Sequence, residues 1–112
     1  MTAVWFTSDL HIGHEKVAVD RFLPSLIDGT AAIKWHDAML AYHWDVNVGR
    51  DDHVWLLGDL SAGGSEVTAY ALNWVADRPG IKHLIAGNHD HVHPMHRDAH
   101  KWQLAYLKVF AS

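Results

Sequence analysis

The chain contains no cysteine. Disulfide staples, thiolate metal sites and thiol nucleophiles are therefore excluded together, and the composition agrees with a cytoplasmic compartment, where disulfides are rare. A basic surplus is also missing. Nine Lys and Arg against thirteen Asp and Glu leave a formal charge of -4, which argues against the electrostatic footprint of a nucleic-acid binder. No stretch approaches the roughly eighteen apolar residues that a membrane span requires. The opening residues have no basic n-region, and Asp9 and His11 break the apolar run too early for a signal peptide. Repeats, low-complexity tracts and linkers are likewise missing.

What remains is 112 residues with 49% hydrophobic content, the expectation for one domain with a single core. Eleven histidines and six tryptophans stand out. Imidazole is the commonest metal ligand, so the histidine excess raises the expectation of a metal site without locating it.

A strand, a polar loop and a helix recur three times. Strands are expected at Ala3–Thr7, His53–Leu57 and Ile81–Ala86, each closed by a turn signal: Ser8-Asp9, Gly58-Asp59 and Gly87-Asn88. Their apolar runs are continuous, which predicts a mostly parallel sheet buried on both faces. Helices are expected at Glu15–Leu23 (stopped by Pro24), at Ala31–Val46 after the turn and N-cap of Asp28-Gly29-Thr30, at Glu66–Ala76 and at Arg97–Phe110. Ile33, Leu40 and Trp44 share one helical stripe, as do Trp102, Ala105, Tyr106 and Val109. The tryptophans follow these periodicities and are expected in the core. The alternation implies an α/β layer, in which loops at the carboxyl ends of the strands gather along one ligand-binding edge.

Those loops carry Asp9-Leu10-His11, Gly58-Asp59 and Gly87-Asn88-His89-Asp90. Two carboxylates, an imidazole and a carboxamide make an oxygen and nitrogen donor set suited to manganese, iron or zinc. Turn chemistry alone explains any one of these residues. Three motifs in order after three strands are harder to explain that way.

The order Asp-x-His, Gly-Asp, Gly-Asn-His-Asp resembles the calcineurin-like metallophosphoesterase superfamily. Its small single-domain members have openings similar to Phe6-Thr7-Ser8-Asp9-Leu10-His11-Ile12-Gly13-His14, and Asp52–Leu60 reads like the same group. The resemblance implies a single domain over residues 1–112, the N-terminal half of a metallophosphoesterase-type α/β sandwich with about three mostly parallel strands flanked by helices. It implies that Asp9 and His11 bind a first metal, Asp59 bridges two, and Asn88 binds the second. His89 becomes the catalytic residue, contacting phosphate or acting as general acid. The cofactors would be one or two divalent ions (Mn, Fe, Zn or Ni), and the reaction the hydrolysis of a phosphomonoester or phosphodiester by a metal-activated water, with nucleic acid entering only as such a substrate.

The family continues with another histidine and a Gly-His-x-His motif, and this chain carries neither. The first site is left with Asp9, His11 and Asp59, the second with Asp59 and Asn88. Ala62 stands where larger relatives place an aspartate that orients the catalytic histidine, leaving Asp90 as the nearby carboxylate. His91, His93, His96 and His100 are candidate replacement ligands, though each is also explained as a surface histidine. His14 borders the site, whereas His36, His43, His53 and His83 fall within helix or strand patterns and read as structural. Gly63-Gly64-Ser65 reads as a plain turn before a helix. The alternative function is a shortened, inactive relative that binds a metal or a protein partner. Because the sheet's second cover is missing, the exposed face or edge is expected to pair with another chain, most simply as a homodimer.

Overall fold

A computed structural model describes residues 2–21, 29–61 and 63–111. The order is β1 (Val4–Thr7), α1 (Glu15–Arg21), α2 (Gly29–Asn47), β2 (His53–Leu56), α3 (Ser65–Ala76), β3 (Ile81–Leu84) and α4 (Ala99–Leu107). All seven elements lie where the sequence places them. Strands β2 and β3 stop one and two residues early, since the chain must turn toward Gly58 and Gly87 before the loops. Helix α2 is already helical at Gly29, two residues before its expected start, and α4 is shorter at both ends than the pattern suggests. Phe22, Leu23, Pro24, Asp28 and Ala62 lie outside the described residues.

The strands form one parallel sheet in the order β1-β2-β3. Val4 pairs with His53 and Phe6 with Trp55, while His53 pairs with Ile81 and Trp55 with His83. Alternation then puts Val54, Leu56 and Leu84 on the opposite face. That face carries the core. Val54 and Leu56 pack with Trp44 of α2, Leu72, Trp74 and Val75 of α3, Tyr106 of α4, and Phe110 beyond it. Trp44 and Trp74 meet edge to face, with centroids 5.7 Å apart.

The sheet's other face is open, which corrects the expectation that both are buried. Phe6 is 67% exposed, Val4 58% and Ile85 56%. The reason is visible in the layering: α2, α3 and α4 all send their core side chains to the Val54–Leu56 face. The molecule is accordingly a slab, 41 × 39 × 17 Å. At the centre of the open face His53 Nδ1 lies 2.8 Å from His83 Nε2, and His83 stacks on Trp55. The tryptophans therefore divide. Trp44 and Trp74 are core, but Trp35 is exposed on α2 in line with Met39, Tyr42 and Val46. Among the described residues no helix is long and apolar enough to cross a membrane.

Candidate active site

The loops after β1 and β2 continue the sheet's pairing beyond the strands. The Leu57 N–H donates to Thr7 O (2.8 Å), Asp9 N–H to Gly58 O (3.1 Å), His11 N–H to Asp59 O (3.4 Å) and Ile12 N–H to Leu60 O (2.9 Å). The Asp9–His11 segment is thus zipped against Asp59. Buried Leu10 and Ile12 anchor it from below, leaving Asp9 and His11 as the alternate residues.

This zipper requires unusual backbone. Among the described residues, three that are not glycine have positive φ: Asp9 (52°), His11 (50°) and Asp59 (51°). The left-handed region costs a non-glycine residue about 1 kcal/mol or more. All three positions are candidate metal ligands. Beside them Gly58 (φ 107°) takes the turn that a side chain would resist.

The third loop is bolted on by Asp90. Its fully buried carboxylate accepts the backbone N–H groups of Asp59 (2.9 Å), Leu60 (2.9 Å) and Gly87 (2.7 Å). Burial pushes its carboxyl above the usual carboxylate range, and the three N–H groups pull it back. Gly87 fits because it has no Cβ. One would collide with Asp59 Oδ1 and lie 2.8 Å from Asp59 N.

Asp59 meets His89 twice. Oδ1 accepts the His89 N–H at 3.1 Å, and Oδ2 lies 3.3 Å from His89 Nδ1. The His89 side chain is half exposed, so it stands at the mouth of the edge. His11 Nδ1 is buried and has no hydrogen-bond partner. Burial lowers the His11 pKa, and His14 and Arg21 add to this, while Asp9 and Asp59 act in the opposite sense. Both carboxylates are therefore close enough for the ring to feel their charge.

An orphaned imidazole nitrogen near two carboxylates has the donor chemistry for a divalent cation. The side chains do not form a closed cage, however. Among the described residues no three His, Cys, Asp or Glu side chains are grouped to hold a metal. Asn88 sits in the third loop, where its backbone carbonyl accepts from His96 Nε2 at 2.8 Å.

The additional histidines serve other partners. His91 Nε2 donates to Gly63 O (3.1 Å), and His93 Nδ1 accepts from the Met95 N–H. His100 is exposed on α4. His14 Nδ1 accepts the Val17 N–H at 3.2 Å, satisfying a free donor in the first turn of α1. The support beneath the first loop, where Arg21 Nη2 donates to Asp9 O at 3.1 Å, carries no motif in the sequence.

A family model for calcineurin-like phosphoesterases matches residues 2–111. The chain belongs to that family. It is 52% identical over 110 residues to the Gene 66 protein of Mycobacterium phage L5, covering 98% of this chain and 50% of that protein. Identity to the Gene 66 protein of Mycobacterium phage D29 is 50% over 113 residues, covering 97% and 51%. A crystal structure of a protein of unknown function from Aquifex aeolicus superposes with a TM-score of 0.60 at 21% identity, covering 97% of this chain and 50% of that one. That likeness shows the fold. The phosphoesterase-family chain spans about half the length of these relatives, and the fold it presents is the α/β half-sandwich expected above.

Proposed function

We propose that the strand-tip edge is a metal-dependent phosphoesterase site, with Asp9, His11, Asp59 and Asn88 as ligands and His89 as general acid. The observation that carries this reading is the shared left-handed backbone of Asp9, His11 and Asp59 on zipped loops. Strained conformations persist where the surrounding structure holds them, and they cluster at functional sites. The family match supports phosphoester chemistry in general. The substrate class is a phosphomonoester or phosphodiester, with Mn, Fe, Zn or Ni as the ion.

When bound, a divalent cation would neutralise charge on the phosphoryl group and acidify the attacking water. The chain's own residues do the rest. Each Asp59 oxygen takes a single bond from His89 and keeps a lone pair for a cation. His11 offers Nδ1, the nitrogen without a partner. With His89 Nδ1 committed to Asp59, Nε2 is the nitrogen that faces a leaving oxygen. The acid is then the imidazolium, and loss of the Nε2 proton returns the ring to the Nδ1–H tautomer that Asp59 favours.

A generic aryl phosphodiester and the matching monoester, assayed with added Mn²⁺, test the proposal. It predicts turnover that is abolished by chelator and by Asp59→Asn. No turnover in the unmodified chain would overturn the catalytic reading and favour a domain that only binds.

We further propose that the open sheet face pairs with a second copy of the chain. Val4, Phe6 and Ile85 lie exposed on a surface whose opposite side carries the core residues Val54 and Leu56. Large apolar side chains exposed on a sheet face mark interaction surfaces.

A further inference from the structure

We infer that Arg21, His36 and Asp37 form a clamp that positions the Asp9–His11 loop from the side opposite its sheet pairing. The inference rests on the reading of Asp9 and His11 as cation ligands and extends it to residues outside the donor set.

The clamp begins in the interior. Asp37, on the buried side of α2, carries a carboxylate that must be satisfied or be costly to bury. It accepts from the Tyr70 hydroxyl (2.9 Å), from the Gly13 N–H (3.1 Å) and from His36 Nδ1 (2.8 Å). Burial and the bond to Asp37 push the Tyr70 hydroxyl up to about 12, which keeps it a donor. The backbone carbonyl of Asp37 accepts from Trp74 Nε1 at 3.2 Å, so α3 holds the residue as well.

These contacts set the His36 tautomer. With its Nδ1–H directed at Asp37, the buried ring presents Nε2 as an acceptor, and Arg21 Nη1 contacts that atom. The fork of the guanidinium then reaches the loop. Nη2 donates to Asp9 O at 3.1 Å, and Nη1 lies 3.5 Å from Leu10 O.

The two sides of the loop are therefore held by different devices. Its N–H groups are taken by Gly58 O and Asp59 O, the second of these bonds being long at 3.4 Å. Its carbonyls at residues 9 and 10 are taken by Arg21, and its exit at Gly13 by Asp37. The loop needs holding because Asp9 and His11 lie at φ 52° and 50°, away from the relaxed basins. A planar fork matches this arrangement of several acceptors, whereas an ammonium group cannot reach them together.

Arg21 is exposed, so replacing it opens no cavity in the apolar core. The experiment compares the full chain with Arg21→Ala and Arg21→Lys in two measurements. Amide hydrogen exchange of the metal-free protein should show the N–H groups of Asp9, His11 and Ile12 exchanging about tenfold faster in Arg21→Ala. Those of Val54 and Leu56 in β2 should be unchanged. Calorimetric titration with Mn²⁺ should show affinity lowered by about 10-fold or more, with Arg21→Lys between the two. Unchanged exchange at residues 9–12 would overturn the clamp. So would acceleration spread equally into β2, which would mark a merely structural residue. Absence of Mn²⁺ uptake by the unmodified chain would overturn the ligand reading of Asp9 and His11, and the exchange measurement would then decide the clamp by itself.

Discussion

Asp9, His11 and Asp59 show how much a residue's type can reveal and where it stops. Aspartate after a strand is ordinary turn chemistry, and nothing in the letters marks a left-handed φ. Only the zipper of Asp9 to Gly58 and His11 to Asp59 makes that backbone necessary. Asp52 is a comparable case at the opposite, amino-terminal end of the strands. Its carboxylate takes the N–H groups of Ala3 (2.9 Å) and Gly49 (2.8 Å) and the Trp5 indole N–H (3.1 Å). Those donors hold its carboxyl below the ordinary value of 3.8. A depressed folded value means that the stabilisation is complete above 3.8 and is lost as pH falls through the depressed value. Denaturant unfolding from neutral pH downward should find a constant deficit in Asp52→Ala that shrinks only in the acid range. In the sequence His36 reads only as a structural histidine and Asp37 carries no signal, since their partners come from Arg21, Gly13 and Tyr70 on other elements.

Elements were more legible than residues because hydrophobic pattern is repeated information. Val54-Trp55-Leu56 reads as strand, and Trp44 with Leu40 reads as one side of a helix, before any contact is known. The same pattern cannot say which side of a sheet receives cover. Trp55 and Leu56 look alike in sequence, yet Leu56 is core and Trp55 stacks on His83 on the open face. The loops join the elements through Asp90, whose role was equally hidden, because three separate N–H groups from two loops converge on it. Asp90→Ala would leave those donors unsatisfied and should cost about 3 kcal/mol. Urea unfolding measures this directly, and a loss below about 0.5 kcal/mol, the level of an ordinary surface substitution, would show that the loops are joined by other means.

As a whole molecule the chain is a sheet with helices on one side, 17 Å through its thin dimension. Its fold class was readable because strand and helix alternate. The uncovered face follows from the helices sharing one side, a three-dimensional fact that the chain order leaves open. If that face pairs two copies, light scattering should report the mass of two chains, and Phe6→Glu should return one. A stable single chain before substitution would contradict the pairing. In the proposed site the strand-tip loops hold a divalent cation although their side chains are not closed around one. Equilibrium binding of Mn²⁺ to the chelator-treated chain tests it most directly. Saturable binding is expected, lost in His11→Ala and in Asp59→Asn while both variants remain folded. Absence of binding, or binding indifferent to both substitutions, would contradict it.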